Sequence, residues 1–503
     1  MKLISLILIG LWFFIGDSQA QSFLDTTFNH IGIRQIDTGG CNKLLIQGDK
    51  KIISLGGFKN GNLIVNILQW KENGSLDLSF ANNVQSNLIQ TSSPHSLVIS
   101  SSNNVESILV CGEIDVSNTA TDFHILKLNM NGTLDQSFGI NGSVITNLVR
   151  FQYGVWFTHT QDYATSLALQ DSGKIIVLGR SDGDLAMVRY TAEGKVDSTF
   201  GINGIVAHKI GTYASEPNDI EILSDNRIVV GFRASINDQG AMCAMRFLPD
   251  GTIDSSFNQT GLAYVNNGWL TYCNALSLQP DGKVLLAGYS DSALIVRFDT
   301  AGLLDPTFGN GGICKLPPAA IRDMVLAPDG KVLVTGTCDD DFVIYRCLSN
   351  GTLDTTFGNN GIIMTNVENG EEDRAESIAL QADGKILVGG SSVFPNSYLP
   401  EFVIARYLPE GQTDLEQIPS QQSVFMLYPN PAEDAILLSW KELASSAQID
   451  ILDVYGRTLI VLKDQLLNAA PVQIDISALT PGIYFVNVRA KNGLNGQQKF
   501  IKK

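Results

Sequence analysis

The sequence predicts an all-β protein: a seven-bladed β-propeller of four-stranded blades followed by a small Ig-like β-sandwich. Three observations predict it. A phrase built on Asp and Phe recurs along residues 22–414 at a spacing of roughly 50–60 residues, the range of propeller blades rather than of short solenoid turns. Each copy holds four short apolar segments bounded by Gly, Asn and Asp, the punctuation of strands and tight turns. After Asp414 the composition shifts to a polar stretch, and a second set of strand-like segments follows.

Residues 1–20 read as an export signal. Lys2 supplies a positive start, residues 3–16 are apolar but short for a bilayer span, and Ser18-Gln19-Ala20 offers small residues for cleavage. The mature chain is expected to begin at Gln21 and to carry no transmembrane helix. No Cys follows the cleavage site, so no lipid anchor is expected.

Residues 21–414 form the predicted propeller. The recurring Asp stands at Asp25, Asp77, Asp135, Asp197, Asp254, Asp305 and Asp354, with a degenerate copy at Asp414. Three residues beyond each of the first seven comes a Phe: Phe28, Phe80, Phe138, Phe200, Phe257, Phe308 and Phe357. In the last full copy the expected strands are 361–365, innermost, then 377–381, 385–390 and 402–408. The Ala382-Asp383-Gly384 turn joins the middle pair. The motif is then expected to link one blade's outer strand to the next blade's inner strand. Many strands are apolar on both faces, which predicts sheets covered on both sides. The Phe is expected to plug the gap between adjacent sheets, contributing about 1.5–3 kcal/mol per blade. Two roles stand open for the Asp. It can cap its own turn, or it can pair with an Arg near the end of the last strand, at Arg189, Arg246, Arg297, Arg346 and Arg406. Gln69 and Lys127 hold that place in the first two copies, so an Asp–Arg tie is predicted for the later blades. A parallel β-helix is the competing architecture, but this repeat is long for one coil.

The words that recur, best matched at residues 353–361 (LDTTFGNNG) and 380–390 (LQADGKILVGG), resemble the delta-60 repeat family of bacterial β-propellers. That resemblance implies the fold and no shared activity.

Residues 415–424 read as a linker and 425–503 as the β-sandwich, with short strands and turns at close spacing. The second unit resembles the type A C-terminal sorting domain of the type IX secretion system of Bacteroidetes. The matching residues are Tyr428, Pro429, Asn430 and Pro431, then Gly456 and Arg457, then Gly482 and Tyr484, and finally Lys502 and Lys503. The resemblance implies passage through the periplasm, the outer-membrane secretion machinery as a partner, and a protein either displayed on the cell surface or released.

The formal net charge of -17 argues against nucleic acid as a partner, because phosphate contacts need clustered Lys and Arg. The 7 Cys are odd in number and irregular in spacing, so they read as buried small hydrophobes, with one oxidised pair left open. Folding the hairpin about Asp340 is expected to set Cys347 opposite Leu333. The 5 His show no metal-ligand spacing, and no nucleophile elbow, zinc motif or phosphate loop is present. No cofactor is called for, although the acidic runs Asp339-Asp340-Asp341 and 371–373 offer oxygen ligands of the kind calcium takes.

In a repeat protein, a residue present in every copy is framework, and a functional residue differs between copies. In an antiparallel meander the motif and the Asp-Gly turn share one end of the sheets, and the variable loops share the other. Those loops carry Tyr153, Trp156, Phe157, Trp269, Tyr272, Phe394 and Tyr398, with Asp339, Asp340 and Asp341 at the same end. Aromatic rings beside carboxylates suit sugar or protein contacts. The first functional reading is therefore a non-catalytic, surface-displayed or secreted propeller that binds glycan or protein. Two alternatives stand beside it: an extracellular polysaccharide hydrolase or lyase working through acidic residues on that end, and a purely architectural surface protein.

Overall fold

The computed structural model describes residues 23–36, 39–56, 66–80, 84–85, 92–102, 105–117, 120–148, 150–152, 155–157, 161–268, 270–367, 372–393, 400–410, 425–440, 447–452, 458–465, 471–490 and 495–503. The chain divides into two compact units, Met1–Gln412 and Thr413–Lys503.

The first unit is built of four-stranded antiparallel sheets, as in a β-propeller, with one added two-stranded ribbon. The sixth shows the pattern. Ala320–Leu326 pairs with Val332–Cys338, which pairs with Asp341–Cys347, which pairs with Ile362–Thr365. The first strands of successive sheets pack on one another in order: Cys41–Ile46, Ser92–Ser102, Asp162–Leu169, Glu216–Ile222, Tyr272–Leu278, Ala320–Leu326 and Glu372–Leu380, which returns to Cys41–Ile46. These strands are therefore innermost.

That order corrects the expected strand phase. Residues 361–365 were expected at the centre, yet Ile362–Thr365 is the outermost strand of the sheet that precedes it. The Asp-Phe motif accordingly stays within one sheet, between its third and fourth strands. The seventh sheet takes its outer strand from the other end of the chain: Ile33–Ile36 pairs with Glu401–Tyr407, setting Ile33 opposite Ala405. The motif around Asp25 thus completes the last sheet, and Asp414 lies outside the described residues. The shift leaves the two ends intact. The Asp-Gly turn, now first-to-second, and the motif, now third-to-fourth, share one end, and the variable connections turn at the other.

The core lies between sheets. Ile176, Leu178 and Met187 of the third sheet pack with Ile220, Val230 and Phe232 of the fourth, and the same arrangement recurs around the ring. Second and third strands such as Ile52–Gly56 and Asn66–Trp70 are buried along their whole length, so their two apolar faces both find cover. At the closing seam Trp70 stacks on Phe402 with ring centroids 5.7 Å apart.

All seven cysteines are unbridged, and six are buried. The hairpin at Cys338 turns through Asp339 and Asp340, both at positive φ, so Cys347 lies opposite Val332 rather than Leu333. The close thiol pair is instead Cys314 with Cys347, whose sulfurs are 3.7 Å apart.

The second unit has a three-stranded sheet built from Phe425–Tyr428, Ala435–Trp440 and Val472–Asp475. A four-stranded sheet is built from Ala447–Leu452, Thr458–Gln465, Gly482–Ala490 and Asn495–Lys502. Ile436 and Leu438 of one sheet share a core with Ile449, Ile451, Val486 and Val488 of the other.

Candidate functional site

The recurring phrase builds one end of the first unit. In the fifth sheet, Asp305 Oδ1 accepts the backbone N–H of Thr307 at 2.9 Å and its hydroxyl at 2.7 Å. Its Oδ2 takes Arg297 Nε at 2.9 Å and Lys283 Nζ at 3.1 Å. Arg297 lies over Phe308, 4.5 Å from the ring centre, and reaches Ser349 O of the next sheet at 2.8 Å. Arg189–Asp197, Arg246–Asp254, Arg346–Asp354 and Arg406–Asp25 repeat the pair, and Lys127 serves Asp135 at 3.3 Å. The two roles considered for the Asp hold together. Burial opposes ionisation of Asp254, but its bonds to Ser256 and Arg246 win and bring its pKa down to about 2. The Phe does plug the gap. A Cβ on Gly351, in the next copy's turn at φ 80°, would sit 2.8 Å from the Phe308 ring, so that turn needs glycine. These residues are the same in copy after copy and hold the ring together.

The other end and the axis carry what differs. Each innermost strand has a β-bulge whose extra residue is Asn42, His95, Thr165, Asn218, Asn274, Arg322 or Glu376. Bulges re-aim side chains and are common beside functional sites. Asn274 Nδ2 donates to Ile321 O of the next sheet at 2.6 Å, and Asn218 Nδ2 likewise donates to Cys273 O. The residue after the bulge also crosses the seam. Asp219 accepts the Leu276 N–H at 3.1 Å, Asp323 the Ile378 N–H at 3.0 Å, and Ser377 Oγ the Leu44 N–H at 3.1 Å. Lys43 of the first sheet reaches Asp323 of the sixth at 3.1 Å.

This axial group is acidic and poorly solvated. Burial, reinforced by the Asp219 charge, pushes Glu221 up to about 8, and burial raises Asp219 and Glu376 as well. Burial works against the Lys43 ammonium, but Asp323 and Asp219 outweigh it and raise its pKa. Nothing in the sequence reading singled out these residues. The available signal was the pair of positions five and four residues before the Gln of the LxLQxDG phrase, where the residue type changes from copy to copy.

Nearer the rim, Tyr272 stacks on Tyr289 with centroids 4.7 Å apart, and the Arg233 guanidinium lies 4.6 Å from the Tyr272 ring centre. Arg233 is held by Glu216 at 2.9 Å. Tyr163 carries Arg180 in the same way, at 4.6 Å. Tyr272, expected in a variable loop, opens the innermost strand of the fifth sheet and is paired with a cation. Trp156 and Phe157 lie on the strand Val155–Phe157, which pairs with Arg150–Gln152. Tyr153, Trp269, Phe394 and Tyr398 lie outside the described residues. Asp339 and Asp340 are the two left-handed residues of a hairpin turn, a place that favours Asp and Asn, and Asp341 accepts Asn366 Nδ2 at 2.8 Å. Among the described residues, no three His, Cys, Asp or Glu side chains converge as metal ligands. Cavities of about 240 and 300 Å³ open at the repeating end, away from this rim.

In the second unit, the predicted signal residues converge from both ends of the segment. Tyr428-Pro429 and Asn430-Pro431 are cis peptides, and Asn430 Oδ1 accepts the Ile501 N–H at 2.9 Å. Lys503 N–H donates to Ala432 O at 2.9 Å, Gly482 pairs opposite Lys502, and Tyr484 donates to Thr480 O at 2.7 Å. Gly456 and Arg457 lie outside the described residues. Residues 426–503 match the secretion system C-terminal sorting domain. Residues 107–138, 170–200, 223–257, 279–308, 327–357 and 381–416 match the domain of unknown function (DUF5122) beta-propeller. The chain carries DUF5122 β-propeller repeats and a secretion sorting tail. The sorting tail directs the propeller out of the cell, to the surface or beyond it, and the secretion machinery is its partner. Among the described residues no helix is long and apolar enough to cross a membrane.

No curated protein matches the chain. Among solved structures it is similar to PorZ of Porphyromonas gingivalis, a surface component of the type-IX secretion system, at 11% identity and a TM-score of 0.41. The match covers 92% of this propeller chain and 59% of PorZ, so the chain spans less than two thirds of that protein. A polysaccharide lyase PL25 ulvan lyase aligns over 75% of this chain and 96% of its own, at 13% identity and a TM-score of 0.42. A Bacteroides caccae protein of unknown function aligns over 63% and 92%, at 13% identity and a TM-score of 0.36.

Proposed function

We propose that this chain is a seven-bladed propeller of the delta-60 type, carried by a type IX route in a Bacteroidetes cell. Residues 1–20 are its removable leader and an Ig-like type A tail its address. Once outside, the propeller is a non-catalytic binding module that meets glycan or protein with its non-repeating end. The observation that carries this reading is the division of labour between the two ends. Framework groups are repeated at one, while single-copy groups, including the Arg233–Tyr272–Tyr289 stack and the bulge residues, gather at the other. A stacked, cation-backed Tyr offers a rigid flat surface at low conformational cost, which suits sugar faces and peptide side chains.

The mature chain, probed on glycan arrays and in pull-downs from cell extract, is expected to retain a ligand that the Trp156→Ala/Trp269→Ala and Tyr272→Ala variants lose. Equal retention by all three proteins would remove the proposal. One observation favours the enzymatic alternative: Glu221, held up to about 8, has the pKa of a general acid at neutral pH. Its Oε2, however, accepts the Leu278 N–H at 2.9 Å, a bond that spans the seam between sheets. Depolymerisation of an acidic polysaccharide by the wild-type chain, lost in Glu221→Gln, would move the assignment from binding to catalysis.

A further inference from the structure

The repeating end is less uniform than its motif suggests. The residue that follows each first strand is Gln47, Ser100, Gln170, Leu223, Gln279, Ala327 and Gln381 in turn. In the third sheet its amide works in the seam. Gln170 Nε2 donates to Asn226 O at 2.8 Å and Pro249 O at 3.3 Å, both in the next sheet, and its Oε1 accepts Arg189 Nη1 at 3.1 Å. Gln279 Oε1 accepts Arg297 Nη1 at 3.4 Å in the same way.

The cavities lie where that Gln is missing. One of about 300 Å³ borders Leu223, Arg246, Gly282 and Thr300, and one of about 240 Å³ borders Ala327, Arg346, Gly384 and Pro409. By repeat position, Gly282 and Gly384 stand where Asn226 stands, and Thr300 and Pro409 where Pro249 stands. The two cavities are therefore amide seats without their amide. Arg346 is buried and donates through Nη1 to Pro409 O at 2.8 Å. Each guanidinium Nη carries two hydrogens, and Arg189 gives its second to the Gln170 amide. Leu223 puts its own branched side chain at its seat, whereas Ala327 puts only a methyl group at the sixth-sheet seat.

We propose that the cavity beside Ala327 binds a primary carboxamide, the side chain of a Gln or Asn presented by a partner segment docking on the repeating end. The groups around it select that chemistry. One donor and two carbonyl acceptors match the one acceptor and two donors of –CONH₂. Lys331 lines the cavity too but is tied to Asp329 at 2.9 Å; a carboxylate would face the two carbonyls and Glu410, and an ammonium would face Arg346. Leu333, Leu380 and Ile386 line the wall against which the methylenes of a Gln would pack. This gives the framework end a function of its own, separate from the binding proposed at the other end.

The test uses the full mature chain and ligand-observed NMR with butyramide, butyrate, butylammonium and a blocked Gly-Gln-Gly peptide. Both amides are expected to bind and the two charged probes not to. Tighter binding of the peptide assigns the source as a side chain, and equal binding assigns it as a free amide. Ala327→Gln, which supplies the amide from within, is expected to weaken amide binding at least about ten-fold, the size of one or two lost hydrogen bonds. Its unchanged or raised melting temperature would show that the seat is filled rather than unfolded. Leu223→Gln is expected to leave the peptide bound. Butyrate binding as well as butyramide, silence from both amides, or an Ala327→Gln protein that binds like wild type would each overturn the proposal.

Discussion

Two sets of buried carboxylates hold the propeller sheets together, and they do so under opposite electrostatics. At the repeating end each Asp meets a Ser or Thr and at least one cation. Asp305, with Thr307, Arg297 and Lys283 around it, is held well below the usual carboxylate range. Along the axis Asp219 and Glu221 answer to backbone N–H groups and the Lys43 charge, Glu376 answers to Arg322 at 3.9 Å, and burial raises all three. The first arrangement is local, with Arg and Asp eight residues apart, so one solution is copied around the ring. The second depends on residues brought together from different sheets and exists once. Stability is the repeated property here, and individuality collects where the inner strands converge.

The largest expected effect tests the repeated set. Arg297 and Asp305 are both almost fully buried, so Arg297→Ala leaves the carboxylate with Lys283 as its one cation and exposes the Phe308 face, at a cost of about 3 kcal/mol, the low end for a broken buried pair. Lys127–Asp135 holds the same place at 3.3 Å but is more open to water, so Lys127→Ala should cost about 1 kcal/mol or less. Chemical denaturation of the two variants measures both. Equal losses would show that burial does not set the strength of the tie.

Acidity should separate the two sets next. The Asp254 carboxyl has a depressed pKa when folded, so its contribution is full above the ordinary carboxylate range and drains as pH falls toward about 2. Glu221 works in the other direction. Folding raises its pKa from 4.5 to about 8, so the folded chain keeps a proton that the unfolded chain releases, and stability falls as pH rises through that window. Melting temperature against pH should therefore slope downward between those values in wild type and flatten in Glu221→Gln. The variant should gain on the order of 2 kcal/mol at the alkaline side. A gain at acidic pH instead would reverse the assigned sign.

How much of this was legible in the chain follows from the same contrast. The Asp, Phe, Arg and turn glycines could be read because each does its work within one period, and the Asp–Arg tie was recoverable from its fixed spacing. The strand phase was not. Any four consecutive strands of a periodic chain look like a unit, and the boundary is set by Ile33–Ile36 pairing with Glu401–Tyr407, a contact between distant segments with no local mark. The spare motif at Asp25 was the available hint. The axial ring went unread because a bulge adds one residue without a distinctive composition, and because Lys43 and Asp323 meet only when the ring closes. Cys347 was placed one residue off because its hairpin turns through two residues rather than about one. Of the rim aromatics, Tyr272 is half-buried, and its partner Arg233 comes from the neighbouring sheet and gave no local sign.

The smallest expected effect sharpens the comparison within the repeating end itself. Gln170 makes two hydrogen bonds across the seam between the third and fourth sheets and a third to Arg189 of its own sheet. Replacing it with Ala should reproduce the vacancy found beside Ala327 and cost about 1–2 kcal/mol, since Arg189 and the two carbonyls lose a partner. The reverse change, Ala327→Gln, has the same groups waiting and no side chain to displace. Its gain should be smaller, about 0.5–1 kcal/mol, because water already solvates the open seat and the added side chain loses rotamer freedom. The pair of substitutions forms a reciprocal measurement in one molecule, read as denaturation midpoints. If Ala327→Gln destabilises while Gln170→Ala also destabilises, the sixth seam has a different shape from the third, and the equivalence inferred from repeat position fails at that seat.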